Sequence, residues 1–201
     1  IVKNNPVRNV VYSFAKAHKE YGHDNSLILL VTQPFENNRF DQVGLGQLLW
    51  DIYKINLIRR SLSEIFDNCF LRNGHLILDG QIVSITYFRS GYSPNDFNEK
   101  NAIKGRKLIE NSSTIQVPDL NVQLAGMKKI QQILTNPKII SKFVSPEIAK
   151  IILKTFVKMY SLDEILVTSE GGISASDLAA KNPNYFVVKP QREGGGNNFF
   201  G

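Results

Sequence analysis

Leu27-Ile-Leu-Leu-Val-Thr32 is an apolar run of strand length, and together with the segments just after it this run decides the architecture. A polar loop, Gln33 to Arg39, leads into a helical pattern. Asp41 is placed to N-cap that helix, and Val43, Leu45, Leu48, Leu49 and Ile52 form its apolar set through about Lys54. Leu57-Ile58 then opens a second strand. Strand, helix and strand in that order indicate an α/β layer sandwich.

Beyond this unit, Ser61-Leu-Ser-Glu64 has the Ser-x-x-Glu spacing of a capping box and starts a short helix. Leu76 to Leu78, Asp79-Gly80 and Gln81 to Phe88 read as a hairpin, because Asp-Gly supplies the left-handed backbone a tight turn needs. Upstream, Pro6 to Glu20 reads as a helix with Val7, Val10, Val11, Phe14 and Ala15 on one face, broken by Gly22 and Asp24-Asn25. Downstream, Asn95 to Glu110 is a weakly patterned helix with Gly105 inside it. Pro118-Asp119 marks a boundary, after which Asp119 caps a helix to about Leu134. Leu120, Leu124, Met127, Ile130 and Leu134 recur at helical spacing and predict its buried stripe. Pro137 and Pro146 punctuate two more helices, Glu170-Gly-Gly172 is a turn, and Tyr185 to Lys189 is a strand.

Composition fits this picture. The chain has 201 residues, 42% hydrophobic and 21% charged, which suits a packed globular core and excludes collagen, coiled coil and a disordered tail. The 24 Lys and Arg against 18 Asp and Glu give +6. The basic residues are scattered, with doublets at Arg59-Arg60 and Lys128-Lys129, so no nucleic-acid partner is expected. Cys69 is the single cysteine and His18, His23 and His75 share no ligand spacing, which excludes disulfides within the chain and multi-cysteine zinc sites. Apolar runs such as Ile28 to Val31 fall far short of the ~20 residues a membrane helix needs. A soluble protein of a reducing compartment, the cytoplasm, is expected. Ile1 and Gly201, the latter just past a glycine-rich stretch, read as the ends of a piece of a longer chain.

The chemistry concentrates in Phe186-Val-Val-Lys-Pro-Gln-Arg-Glu-Gly-Gly-Gly-Asn-Asn198. Lys189, at a strand end, can aim a point charge at a phosphate. Gly194, Gly195 and Gly196 let backbone N–H groups approach phosphate oxygens without side chains in the way. Glu193 offers the hard oxygen that Mg²⁺ prefers. Asn197 and Asn198 tolerate left-handed backbone and add donors. Neither Gly-x4-Gly-Lys-Ser/Thr nor Gly-x-Gly-x-x-Gly is present.

Lys189-Pro-Gln-Arg-Glu-Gly-Gly-Gly-Asn-Asn198 resembles the glycine-rich signature of the eukaryotic-type glutathione synthetases, which are ATP-grasp ligases. Three further stretches agree in order. Glu36-Asn37-Asn38 with Phe40-Asp-Gln42 is similar to the family's Glu-Arg-Asn-x-Phe-Asp-Gln. Tyr87-Phe-Arg-Ser-Gly-Tyr92 is similar to its Tyr-Phe-Arg-Asp-Gly-Tyr, and Gln123-Leu-Ala-Gly-Met-Lys-Lys-Ile-Gln-Gln132 to its Gln-Leu-Ala-Gly-x-Lys-Lys-x-Gln-Gln. The resemblance runs from about Ser26 to Gly201.

That resemblance implies an α/β fold: a Rossmann-like, parallel-rich sheet with flanking helices over 23–118 as substrate-binding domain, and part of an ATP-grasp fold over 119–201. Residues 1–22 would end a preceding helical segment. It implies ligation of γ-glutamylcysteine to glycine with ATP and Mg²⁺, through an acyl phosphate, in a protein that can be a homodimer. Lys189 and Arg89 would be catalytic. Lys128, Lys189, Pro190, Gln191, Arg192, Glu193, Gly194, Gly195, Gly196, Asn197 and Asn198 would bind ATP, with Glu193 also on Mg²⁺. Glu36, Asn37, Asn38, Gln42, Arg89 and Tyr92 would line the dipeptide site.

Departures from the family pattern leave the acceptor open between glycine, β-alanine and serine. Ser90 stands for a frequent Asp, Asn37 for a frequent Arg, and Ile103-Lys-Gly-Arg106 for Trp-Glu-Ala-Arg. The remaining Mg²⁺ ligands would precede Ile1 and the lid and acceptor site would lie beyond Gly201, so the piece alone is expected not to turn over. The rival reading is a nucleotide-binding or interaction module without catalysis.

Overall fold

The computed structural model describes residues 4–169, 171–190 and 198–200. The chain divides into two compact units, Ile1–Asp119 and Leu120–Gly201.

The first unit runs α1 (Pro6–Tyr21), β1 (Leu27–Thr32), α2 (Arg39–Tyr53), β2 (Leu57–Ser61), α3 (Leu62–Asn68), β3 (Cys69–Arg72), β4 (His75–Leu78) and β5 (Gln81–Phe88). A 3-10 turn (Pro94–Phe97), α4 (Ala102–Glu110) and β6 (Ile115–Val117) complete it. The sheet is mixed. β1 pairs in parallel with β2 and β5, and β5 pairs in parallel with β6. The first residues of β5 pair antiparallel with β4, which β3 extends. The sheet is thus parallel across β2, β1, β5 and β6, as a parallel-rich sheet requires, but the antiparallel β3–β4 extension departs from the Rossmann-like expectation. The architecture is α/β with helices flanking a mixed sheet.

All six residues of β1 are buried, which explains why its sequence is apolar throughout rather than alternating. Its successive side chains feed two cores, as the two-residue period of a strand requires. Leu27, Leu29 and Val31 join Leu62, Ile65, Phe88 and Ile109 on one face. Ile28 and Leu30 join Val11, Phe14, Leu45, Leu49 and Ile85 on the other. Each fully buried aliphatic side chain contributes about 1.5–3 kcal/mol. Thus α1, read from sequence as the end of a preceding segment, lays Val11, Phe14 and Ala15 against this sheet, while Val7 and Val10 stay exposed.

Local chemistry sets the boundaries. The Ser61 capping box is complete: Ser61 Oγ accepts the Glu64 N–H at 3.3 Å, and Glu64 Oε2 accepts the Ser61 N–H at 2.7 Å. Asp79 and Gly80 turn the expected hairpin with φ of 50° and 78°. A second hairpin, β3–β4, turns at Asn73-Gly74 with φ of 52° and 81°. Asn-Gly is itself the signal for that turn. Helix α2 begins at Arg39, so Asp41 lies inside the first turn, where its charge still favours the helix N-terminus, rather than at the cap. The helix expected over 95–110 is divided: Asn101, at φ 69°, breaks it into the 3-10 turn and α4.

His18 is buried beneath the sheet, its Nδ1 2.8 Å from Ser84 Oγ and 3.4 Å from Ser26 Oγ. Ser84 Oγ donates its one proton to the Leu27 carbonyl at 3.0 Å, so His18 Nδ1–H is the donor to Ser84. Burial lowers the His18 pKa below 6.5 despite the opposing pull of Asp24. The unfolded chain therefore binds the proton more readily. Stability is full above about pH 6.5 and falls as pH drops through the folded pKa. Urea midpoints are expected to fall between pH 7 and 5, and His18→Gln to remove that share of the slope.

The second unit runs α5 (Leu120–Ala125), α6 (Lys128–Leu134), α7 (Pro137–Ile140), α8 (Pro146–Leu153), β7 (Ile165–Thr168), β8 (Gly171–Ser174) and α9 (Ala175–Lys181). A 3-10 turn (Pro183–Tyr185), β9 (Val187–Val188) and β10 (Phe199–Phe200) come last. The expected single helix over 119–134 is broken where Gly126 is followed by extended Met127, at φ −67° and ψ 148°. The break takes the two halves out of one helical phase, and Leu120, Leu124 and Met127 are left about half exposed instead of forming a buried stripe. Asn136, Ser145 and Ser174 cap α7, α8 and α9 through their side-chain oxygens. The strand expected over 185–189 shortens to β9, which pairs antiparallel with β10.

Candidate active site

Strands β1, β2 and β5 end together. Thr32 is in register with Ser61, and Val31 with Phe88. Because β1 lies between β2 and β5, the chain leaves it to one side and returns to the other. In open α/β sheets ligands bind at such a switch point, beyond the carboxyl ends of the strands. Three segments leave from this edge: the 33–38 loop and the turn after Phe88, which carry nominated site residues, and the first turn of α3, which carries none.

The 33–38 loop folds on itself. Glu36 Oε1 accepts the Asn38 N–H at 2.8 Å. Asn37 and Asn38 are exposed, and Asn38 stands at the N-cap of α2 without a side-chain cap bond. One turn into α2, Gln42 is only 3% exposed and accepts from Arg59 Nε at 2.8 Å. Burial alone would raise the Glu36 pKa. The Asn38 N–H, the Gln42 side chain and the charges of Arg59 and Arg89 outweigh it, and the carboxyl sits below its ordinary value. Gln42 Nε2 itself completes no hydrogen bond, although the amide is close enough to lower the pKa of this carboxyl. A concave pocket of about 260 Å³ opens here, lined by Thr32, Gln33, Pro34, Glu36, Arg39, Arg59 and Glu64.

Arg89 continues the β5 ladder by donating its N–H to the Val31 carbonyl at 2.9 Å. Its Nη1 is 3.4 Å from Tyr87 Oη. That contact with Tyr87, then the fields of Tyr92 and Glu36, hold its pKa above the ordinary value against the cost of burial. The guanidinium is thus a permanent cation whose field reaches Glu36. The turn that carries it is fixed by Asp96. One oxygen, Oδ2, accepts the N–H groups of Gly91 at 3.1 Å, Tyr92 at 2.9 Å and Ser93 at 3.0 Å. Gly91 sits at φ 91°, where only glycine is unstrained. Tyr92 donates its hydroxyl to the Phe88 carbonyl. Arg106 lies 4.1 Å over the Phe88 ring and pairs with Glu110 at 2.6 Å. Asp96→Ala is expected to cost about 2 kcal/mol by stranding three N–H groups, read as a lower denaturant midpoint for the first unit.

In the second unit, β9 delivers Lys189 and Pro190, and Asn198 precedes β10. Phe199 pairs with Val188 and Phe200 with Val187. Lys189 is exposed directly after β9, and Asn198 directly precedes the antiparallel β10. Gln191, Arg192, Glu193, Gly194, Gly195, Gly196 and Asn197 lie outside the described residues, and so does the expectation that this loop is mobile without nucleotide. Lys128 is the first residue of α6 and half-buried. Among the described residues, no three His, Cys, Asp or Glu side chains cluster to hold a metal. A larger groove of about 410 Å³, lined by Pro137, Pro146, Lys150, Leu153 and neighbours, contains none of the nominated site residues.

Sequence reasoning missed Arg59 and Asp96. Arg59 read only as half of a basic doublet. On β2 adjacent side chains face opposite ways, so Arg60 turns to Asp79 at 3.6 Å while Arg59 turns to Gln42.

Comparison with known proteins fits this geometry. The family described as eukaryotic glutathione synthase, ATP binding domain, matches residues 1–201. The chain is 38% identical over 204 residues to the chloroplastic glutathione synthetase of Solanum lycopersicum, covering 100% of this chain and 36% of that protein. It is 39% identical over 204 residues to the glutathione synthetase of Homo sapiens, covering 100% and 42%. Among solved structures, a glutathione synthetase-like effector from Globodera pallida, in its apo form, superposes with a TM-score of 0.64. That match covers 96% of this chain and 39% of the other at 20% identity, and shows a shared fold. The chain belongs to the eukaryotic glutathione synthetase family. It spans about two fifths of the length of the curated relatives it matches. Among the described residues no helix is long and apolar enough to cross a membrane.

Proposed function

We propose that the full-length protein is an ATP-dependent ligase that joins γ-glutamylcysteine to glycine. The observation that carries this reading is the gathering of Glu36, Gln42 and Arg89 beyond the carboxyl ends of β1 and β5, with the Arg89 charge reaching Glu36, in a chain of this family. The two opposite charges suit a zwitterionic amino-acid end: Glu36 receives the ammonium, and the planar Arg89 fork receives a carboxylate. Gln42, Asn37 and Asn38 are amides suited to peptide edges, and Tyr92 holds the turn that presents Arg89.

In the reaction a substrate carboxylate oxygen attacks the γ-phosphorus of ATP and ADP leaves. The glycine amine then attacks the acyl carbon, phosphate leaves, and the amine gives up a proton. No protein nucleophile is needed, so positioning and charge do the catalysis. Lys128 and Lys189 would face the phosphates, with 190–198 laid over them. Glu193 would be one oxygen ligand of Mg²⁺, which neutralises charge on the transferred phosphoryl group. Residues 23–118 would serve as the substrate-binding domain and 119–201 would begin the ATP-grasp portion.

The test is a product assay on the full-length protein with ATP, γ-glutamylcysteine and, in turn, glycine, β-alanine and serine. ADP release with one tripeptide product is the expected result. Nucleotide binding without product for any acceptor would instead identify a non-catalytic module.

A further inference from the structure

We propose that Arg59 is a positioning residue: it fixes the Gln42 amide so that Nε2 faces the Glu36 carboxylate, and thereby sets the orientation of the group that receives the substrate's ammonium. This rests on the reading that the pocket at this strand edge takes the dipeptide.

Arg59 sits on β2 in register with Leu30 of β1, and its Nε donates to Gln42 Oε1 at 2.8 Å. An amide offers an acceptor on one side and donors on the other. With Oε1 committed to a guanidinium, Nε2 must face away from it. Nε2 completes no hydrogen bond there, yet the amide is close enough to lower the pKa of the Glu36 carboxyl, which shares this edge with Arg59. Gln42 is 3% exposed, so water does not compensate the unfilled donor. Turned over, the amide would set Oε1 against the Glu36 carboxylate and NH₂ against Arg59, and both contacts would repel. Arg59 thus acts through Gln42. The other charged groups at this edge are Arg89, whose field reaches Glu36, and Arg39 and Glu64, which line the pocket. Glu64 Oε2 is already held by the Ser61 N–H.

The experiment uses the full-length protein with Arg59→Met, Arg59→Lys, Gln42→Met and the Arg59→Met/Gln42→Met double variant, each checked by thermal unfolding. Arg59→Met is expected to raise the KM for γ-glutamylcysteine about tenfold, with kcat and the KM for ATP changed less than about twofold. Arg59→Lys should recover part of the loss, because an ammonium still donates to Oε1. The double variant should be no worse than Gln42→Met alone. An unchanged dipeptide KM in Arg59→Met, or additive losses in the double variant, would overturn the proposal. If Arg59→Met does not fold, Arg59→Lys carries the test through an intermediate rise in the same KM, and a wild-type KM there overturns the proposal. A second arm does not depend on ligation. The Glu36 carboxyl, followed by ¹³C NMR titration, should titrate at higher pH in Arg59→Met, and that rise should be smaller when Gln42 is already Met, because only the charge of Arg59 is then lost; an equal rise in both backgrounds overturns the role even if the protein makes no product.

Discussion

Lys189→Ala in the full-length protein is expected to lower ATP-dependent turnover by about 10²- to 10³-fold, the loss typical of removing one preorganised charge from a transition state. The residue is exposed where β9 ends, and among the described residues no carboxylate pairs with it. Its ammonium is therefore available to an incoming anion, with no carboxylate to displace among the described residues. By contrast Lys129, beside the nominated Lys128, is held by Gln132 Oε1 at 2.9 Å and Ser161 Oγ at 2.8 Å. A lysine so engaged stabilises its own unit. Single-turnover kinetics separates the two roles: Lys189→Ala should slow phosphoryl transfer while the denaturant midpoint stays put. Lys189→Arg should recover only part of the rate, because it keeps the charge and changes its shape. Wild-type turnover in Lys189→Ala would remove this lysine from the mechanism.

What the sequence made legible was local. The capping box at Ser61 and Glu64, the turn at Asp79-Gly80 and the β1 run each depend on neighbours within a few residues, and each forms as read. The family was legible for the same reason, since its motifs are short strings in a fixed order. What stayed hidden was non-local. Arg59 meets Gln42 across 17 positions, and only the packing of β2 beside α2 makes that pair. Asp96 was the local exception: it accepts from residues three to five positions back at the Ser93-x-x-Asp96 spacing of a capping box, inside a segment read as one continuous helix. The apolar period of 120–134 was real in sequence, but the extended Met127 divides it, and hydrophobic spacing carries no information about such a break. Within the nominated site, the structure gathers Glu36, Asn38, Gln42 and Arg89 at one strand edge, while most of the glycine-rich loop lies outside the described residues.

Gly105 shows how a weakly patterned segment can be the least tolerant. Helices α3 and α4 approach so closely there that a Cβ on Gly105 would stand 1.9 Å from the Leu62 carbonyl oxygen and 2.9 Å from its carbon. Neither is the end of a flexible side chain. Leu62 opens α3 directly after β2, and the Ser61–Glu64 box holds that junction in place. For Gly105→Ala to fold, α4 must withdraw by well over an ångström. Alanine gains about 1 kcal/mol in helix propensity, but overpacking against backbone costs about 3 kcal/mol or more, so the net is destabilising. Gly44, in α2, is the matched comparison: its Cβ meets nothing within 4 Å, and Gly44→Ala is expected to stabilise by about 0.5–1 kcal/mol. Denaturant midpoints of the two variants should therefore move in opposite directions. The displacement also has a functional reach. Arg106, next along α4, stacks on Phe88, and its Nη1 lies 3.6 Å from where a Cβ on Gly91 would be, so moving α4 disturbs the turn that presents Arg89. In any folded fraction of Gly105→Ala the dipeptide KM should rise while nucleotide affinity holds. A wild-type midpoint for Gly105→Ala would mean that α3 and α4 do not touch at this position.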